Sequence, residues 1–275
     1  MTQQDNSRNY SDSFKPIESK RERLSKKPSQ LVEKTKSISF SIGKQRLEEK
    51  RRMITIDNLG ESAYKFEIEF ESALGKRSIG VYDLKKLIPA VLDYYKEAFY
   101  WGLNRKEVHQ HLIKATLSER KIQFAWLDSQ IHNKNTHYWV VFDITTDPPL
   151  AIGHANMKPQ TADGRDINGH SLGQVIYEPK YFGKNRLKQE HNKSIGYQML
   201  AFEIRAAKKA GITKIVGNTE NDNIPVNRLL SENKFILNGK TLKFIKVDGR
   251  TNKLNIVNAL GKVKKMSTYS LSVPR

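Results

Sequence analysis

The residues whose types and order could do chemistry gather between Val175 and Phe235. An apolar run, Val175-Ile176-Tyr177, meets Glu178-Pro179, and proline cannot continue a strand ladder, so a strand is expected to end there. A polar stretch, Asn185 to Lys193, leads to Ser194, a residue type that caps helix N-termini. Beyond it Ile195, Met199, Leu200, Phe202, Ile204 and Ala207 form a helical stripe, and Ala210-Gly211 ends it. Lys214 to Gly217 reads as a second strand. A helix that opens just after a strand end presents free N–H groups and the positive end of its dipole, and the chemistry that suits is phosphate binding. Ordinary strand–helix–strand units share this arrangement and bind nothing at the turn. The residues alone therefore leave the site open.

The whole chain bounds what such a site could serve. With 275 residues it is long enough for one large domain with appendages. The absence of cysteine excludes a disulfide framework, a thiolate metal site and a cysteine nucleophile, and fits a reducing compartment. No apolar run approaches membrane-spanning length, and the N-terminus lacks a signal-peptide core. The expected location is the cytoplasm, with secretion as an effector lacking a signal peptide as the alternative. A formal charge of +19 suits a polyanionic partner: nucleic acid, an anionic membrane surface or a phosphorylated cofactor. It suits a solubilising surface with a basic tail equally well.

Residues 1–52 are polar or densely charged and read as a basic, disordered tail, with Gln45 to Arg52 as a short exposed helix. Order is expected from Met53. Tyr64, Phe66, Ile68 and Phe70 alternate with charged residues, a half-buried strand, and Arg77 to Tyr82 pairs back onto it. Lys85 to Tyr100 and Asn104 to Glu119 carry helical spacing, with Pro89 in a first turn. His109 and His111 lie two apart on that second helix and point in different directions, so no metal site is expected. Strands are expected at Ile122 to Leu127, Tyr138 to Ile144, Leu150 to Met157 and Leu172 to Tyr177, with Thr161 to Gly169 as a polar loop. After the central stretch, Asn238-Gly239 signals a hairpin turn between Phe235–Leu237 and Leu242–Val247. Residues 248–275 read as a basic extension, with one more strand at Leu254, Ile256 and Val257.

This order of elements resembles the GNAT superfamily, the Gcn5-related N-acetyltransferases, over about residues 77 to 247. Tyr177-Glu178-Pro179 is similar to the family's strand end, Lys180-Tyr181-Phe182-Gly183-Lys184 to the start of its pyrophosphate loop, and Ser194-Ile195-Gly196 to the end of that loop. Asn185 to Lys193 stands between them as an insertion. Asn223 to Phe235 resembles the family's Asn-x-x-Ala-x-x-Leu-Tyr-x-x-x-Gly-Phe segment. Three positions depart from the pattern: Ser194 replaces a loop glycine, Leu230 stands where many members have a tyrosine, and Lys234 replaces the glycine before Phe235.

The resemblance implies an α/β (α+β) fold: a central mixed, mostly antiparallel sheet with a V-shaped splay, flanked by helices, in a domain spanning 53–247. It implies acetyl-CoA or another acyl-CoA as cofactor and direct attack by an acceptor amine, on a small molecule or a protein. The cofactor would meet Ile176, Tyr177, Gly183, Lys184, Lys193, Ser194, Ile195, Gly196, Tyr197, Asn218 and Asn223. Arg186, Lys188, His191 and Lys193 of the insertion would reach its phosphates or an anionic acceptor. A backbone N–H near Tyr177 or Glu178 would polarise the thioester carbonyl. Glu178 is the first candidate base, with His170 a further one; His154, Glu220 and Asp222 read more simply as structural or solvated. Tyr177 and Tyr181 are candidate substitutes for the acid missing at Leu230. Two other readings stay open: a related enzyme that modifies or binds nucleic acid, a DNA or RNA base or a charged tRNA, and a binding protein that keeps the fold without the chemistry.

Overall fold

A computed structural model describes residues 41–71, 73–109, 119–162, 165–189, 193–241, 246–247, 250–251 and 266–274. The compact unit that carries the sheet runs from Leu47 to Arg275, starting six residues before the expected Met53. Residues 1–40 of the expected tail lie outside the described residues.

Residues 41–52 are helical (α1). The strands that follow are β1 (Tyr64–Glu69), β2 (Lys76–Asp83), β3 (His137–Asp143), β4 (Leu150–Ala162), β5 (Arg165–Ile176), β6 (Lys214–Glu220), β7 (Ile236–Thr241), a short ribbon of β8 (Lys246–Val247) and β9 (Arg250–Thr251), and β10 (Met266–Ser272). The helices are α2 (Pro89–Leu103), α3 (Lys106–His109), α4 (Arg120–His132), α5 (Ile195–Lys209) and α6 (Ile224–Glu232). One eight-stranded sheet has the order β1-β2-β3-β4-β5-β6-β10-β7. Every neighbouring pair in it is antiparallel except β5 and β6. This is the mixed, mostly antiparallel α/β fold that the order of elements implied.

The sheet is covered on both faces, which is why β3 reads as an unbroken apolar run instead of an alternation. Trp139 and Val141 of β3 join Ile79, Val81, Ala155, Met157, Met199, Phe202 and Ile215 on the α5 side. Tyr138, Val140 and Phe142 join Tyr82, Tyr94, Tyr95, Phe99 and Tyr177 on the α2 side. Pro89 sits at the first turn of α2, where its missing N–H costs no hydrogen bond.

Several expected elements differ. Ile122–Leu127 is part of α4, not a strand. Its inward stripe is Gln123, Leu127 and Gln130, while Ile122 and Trp126 are 56% and 39% exposed. The apolar alternation that suggests a strand is an outward face. Thr161 and Ala162 continue β4, and β5 already begins at Arg165, so the expected polar loop is the end of a long hairpin. Asn238-Gly239 lies inside β7. The register against β10 passes from Thr268–Gly239 to Tyr269–Leu237 and leaves Asn238 as the extra residue of a bulge. The dipeptide thus makes a local kink where a two-residue turn was expected. Asn104 ends α2 and does not open a helix; the next helix, α3, starts at Lys106, and His111 lies outside the described residues, as do Leu254, Ile256 and Val257. Met266–Ser272, assigned by sequence to a C-terminal extension, pairs with β6 on one side and β7 on the other.

Two consequences can be measured. Deleting residues 266–275 removes the strand that joins β6 to β7, so cooperative thermal unfolding should be lost; an unchanged Tm would make the segment a dispensable extension. Lys234 has φ of 64°, the left-handed backbone that closes α6 and that glycine adopts without strain. Lys234→Gly should therefore stabilise the protein by roughly 0.5 to 1 kcal/mol in chemical denaturation.

Candidate functional site

β5 and β6 are parallel neighbours joined through α5. Their register covers three pairs only: His170–Ile215, Ser171–Val216 and Leu172–Gly217. Past that point β5 runs on to Ile176 and β6 to Glu220, each still paired on its far side, to β4 and to β10. Between residues 173–176 and 218–220 no register pair is formed, so two strand edges part around a gap. Alternation sends Gln174 and Ile176 toward α5, and Val175 and Tyr177 toward α2.

The loop that leaves β5 crosses back to the far edge of the sheet. It makes a 3₁₀ turn at Pro179–Tyr181 and another at Gly183–Asn185. Arg186 then bridges Phe70 just past β1, with Glu71 N–H donating to Asn185 O at 3.0 Å and Leu187 N–H to Glu69 O at 3.0 Å. The chain returns to Ser194, whose hydroxyl caps α5 by accepting from Tyr197 N–H at 3.2 Å. Gly183 lies directly against that cap: a Cβ on it would sit 3.1 Å from Ser194 Cβ. Gly183 and Ser194, on either side of the insertion, therefore touch. Lys184 and Lys193 are exposed, with the Lys193 ammonium 5.5 Å from the centre of the Tyr197 ring. His191 lies outside the described residues.

The candidate catalytic residues separate. Glu178 is half-buried at the strand end, and its Oε1 accepts from Arg105 Nη2 at 2.5 Å. With Arg51, Glu48, Trp101 and Tyr94 this pair lines a small pocket on the α2 side. Tyr177, which lines the inner wall of the same pocket, extends into the core. Its ring lies so close to α2 that a Cβ on Gly102 would come 2.4 Å from Tyr177 Cγ. Its hydroxyl is 3.1 Å from that of Tyr95 and 2.5 Å from His154 Nδ1, and Tyr95 in turn reaches Tyr138 at 3.1 Å. Burial pushes the Tyr177 phenol well above its ordinary range and the His154 imidazole down to about 3. His154 is thus a neutral core group. The backbone N–H of Tyr177 donates to Ile152 O at 2.7 Å, which leaves the amide of Glu178 as the remaining one of the two expected near the thioester. His170 pairs with Ile215 on the α5 face, six residues before Ile176 and so roughly 20 Å from the strand end. It is not brought together with Glu178.

No protein-family model matches the chain, and no curated protein matches it in sequence. Among solved structures it is similar to the ribosomal-protein-S5-alanine acetyltransferase of Vibrio fischeri, at 16% identity over 76% of this chain and 97% of the other, with a TM-score of 0.49. It is also similar to the spermidine N-acetyltransferase of Vibrio cholerae in complex with CoA and spermine, at 12% identity over 71% and 95%, TM-score 0.48. What decides the fold is the topology: the mixed sheet, the crossover helix and the parted parallel pair. The chain has the mixed, mostly antiparallel α/β fold that the resemblance to the GNAT superfamily implied.

Within that fold, Leu230 is buried with its methyl groups packed against Gly217 of β6, so the position of the family's tyrosine is filled by core. Tyr181 is no substitute acid, because its hydroxyl donates to the buried carboxylate of Asp143 at 2.5 Å. Burial and that neighbouring carboxylate push its phenol up. Asn218 Oδ1 accepts from Thr268 at 2.9 Å. Asn223 stands at the N-cap of α6 without a side-chain cap bond. The residue that fixes this loop is Asn227, unremarked in the sequence, whose amide donates to the carbonyls of Glu220, Asn221 and Asn223 while its oxygen accepts from Tyr269. Asn at both ends of a four-residue step was the available signal.

One further group escaped the sequence. Glu203 of α5 is fully buried, takes a hydrogen bond from Gln174 of β5 on Oε2, and has no partner for Oε1 among the described residues. Burial pushes its carboxyl up from 4.5 to about 8. A folded pKa above the unfolded one favours the folded state at low pH, and that contribution is lost as pH rises from about 4.5 through about 8. Glu203→Gln should therefore raise stability most near pH 8, by up to about 4 kcal/mol, and little at pH 4.5, in a Tm-against-pH series.

Proposed function

We propose that this chain is an acyl-CoA-dependent N-acyltransferase, acetyl-CoA being the first cofactor to test, that passes the acyl group directly to an acceptor amine. The observation that carries the reading is the parted β5/β6 pair opening beside a capped helix N-terminus. Strand edges at 173–176 and 218–220 lack a ladder between them, and unpaired backbone groups of this kind need partners. A ligand with amide groups along its length and phosphates at one end answers both needs.

The residues present fit that ligand. Ser194, Gly196 and Tyr197 form the backbone at the start of α5, Gly183 lies against the Ser194 cap, and Lys184 and Lys193 add positive charge beside them. Ile176 and the edge of β5 would line the arm, with Asn218 across the gap. When bound, the group supplies an activated acyl thioester.

The chain's own task is then to orient the amine, remove its proton and stabilise the developing oxyanion. The Glu178 backbone N–H is the candidate oxyanion donor. The Glu178 carboxylate is the candidate base, with Arg105 holding it in one orientation. With Leu230 in the acid's usual place, protonation of the departing thiolate falls to solvent or to the acceptor's own released proton. Much of the acceleration would come from holding amine and thioester together.

Thermal unfolding with and without CoA tests the cofactor. A ligand at one hundred times its Kd stabilises by about 2.7 kcal/mol, so Tm should rise by several degrees at millimolar CoA, and no shift would overturn the reading. Mass spectrometry of amine and peptide panels incubated with acetyl-CoA should reveal an acetylated acceptor. Glu178→Gln should then lower turnover about a hundredfold or more while CoA still shifts Tm; unchanged turnover would remove Glu178 as the base.

A further inference from the structure

The insertion between Gly183 and Ser194 interrupts the loop on which the cofactor reading rests, yet the two residues meet. Something must hold the interrupted ends in place. Among the described residues, four attachments hold the Gly183 side of the excursion. The Tyr181 hydroxyl donates to Asp143 Oδ2, on the last residue of β3, at 2.5 Å. The Tyr181 ring meets that of Phe70 edge-on, with centres 5.6 Å apart at 86°. Asn185 Nδ2 donates to Pro179 O at 2.9 Å and closes the first turn on itself. The Phe70–Arg186 bridge, with its flanking bonds to Glu69 and Glu71, ties the far end to the sheet edge.

Of these, the Tyr181–Asp143 bond reaches deepest. Asp143 is wholly buried, also accepts from Thr145 N–H at 2.9 Å, and has Arg77 Nε 3.9 Å from Oδ2. A charge-assisted bond to a carboxylate fixed by β3 and Arg77 is stronger and more directional than a neutral one. It holds Tyr181 two residues before Gly183, where any drift would carry Gly183 away from the Ser194 cap.

We infer that Tyr181 is a positioning residue for cofactor binding: its hydroxyl, anchored on Asp143, places Gly183 against Ser194 and so rebuilds the phosphate-facing loop that the insertion interrupts. The inference rests on the acyl-CoA reading above. Tyr181 acts through the loop and touches no reacting atom. The insertion is then a strap whose ends are set by the sheet.

The test compares three full-length variants with wild type by calorimetric titration of CoA and by thermal unfolding of the free protein. Tyr181→Phe keeps the ring and removes the hydroxyl. Asn185→Ala loosens the same loop without disturbing a buried charge. Val141→Ala, in the core of β3, destabilises the fold away from the loop. The expected result is a CoA Kd raised about tenfold in Tyr181→Phe, corresponding to about 1.4 kcal/mol, and raised in the same direction in Asn185→Ala. Val141→Ala should lower Tm with Kd within about twofold of wild type. Amide exchange in free Tyr181→Phe should quicken at Leu187 and Glu71, whose N–H groups make the bonds to the strand edge and loop.

If Tyr181→Phe and Asn185→Ala lower Tm as Val141→Ala does but leave Kd unchanged, the hydroxyl is a stability feature and the inference falls. Unchanged exchange at Leu187 and Glu71 also overturns it. A wild type that binds no CoA overturns the cofactor reading itself, and exchange then separates the two failures: quickened exchange leaves the strap standing as a structural device without a cofactor role.

Discussion

A parallel strand pair held by three residue pairs is what the rest of the molecule is built around. Parallel neighbours need a crossover, and α5 supplies it by packing Met199, Leu200, Phe202 and Ala207 onto the sheet. A gap in a ladder leaves backbone groups unpaired, so the strands beside it must be held from their outer sides. β4 holds β5 through a long antiparallel register that includes His154–Val175 and Gly153–Ile176. β10 holds β6 along its whole length, from Lys214 to Glu220. The last strand among the described residues is thus a condition for the gap, and the candidate site depends on residues some fifty positions away in sequence from its own loop.

Tyr177 shows how the two faces of the sheet meet at that gap. Its backbone N–H donates to Ile152, the β4 residue skipped in the register with β3, and its side chain ties β5 to α2 through Tyr95 and to β4 through His154. Its neighbour Glu178 is then turned toward Arg105, at the exit of α2, and toward the small pocket. One residue serves the core and the next serves the surface, as strand alternation requires. A buried hydroxyl network with every member bonded is rigid, and this one sits where the strand edge must not move.

Much of the fold was legible in the sequence because its elements are locally marked. Ser194 caps α5, Pro89 opens α2, and the stripe from Ile195 to Ala207 faces the core as its spacing predicts. The failures share a cause: a local signal overruled by tertiary pairing. In Ile122 to Leu127, Ile122 and Trp126 lie on the exposed face of a helix and Leu127 on its buried face. Asn238-Gly239 has the chemistry of a turn, yet its neighbours find β10, which no local pattern announces. At the site, the positions of Glu178 and Ser194 were legible, since each follows from where a strand ends or a helix begins, whereas Gly183 was singled out through the family resemblance. The partners were not. That Arg105 engages Glu178, that Asp143 receives Tyr181, and that Gln174 meets Glu203 are facts of packing between segments distant in sequence, and no spacing rule contains them.

The insertion brings these strands of argument together. Lengthening a loop costs little in closure entropy, so an excursion of this size is thermodynamically tolerable wherever its ends are fixed. Fixing them is the harder requirement, because a helix N-terminus offers a ligand useful N–H groups only if the preceding chain keeps clear of them and stays put. Here the entry side is bound to β3 through Tyr181 and to β1 through Arg186, while the exit side is bound to α5 by the Ser194 cap. Each anchor lies on a different element of one sheet-and-helix unit. Gly183, lacking a side chain, lets the two sides close to contact. Any larger residue there would have to push against the cap, and the tightness of that single approach makes the loop's geometry a property of the sheet and not of the loop's own sequence.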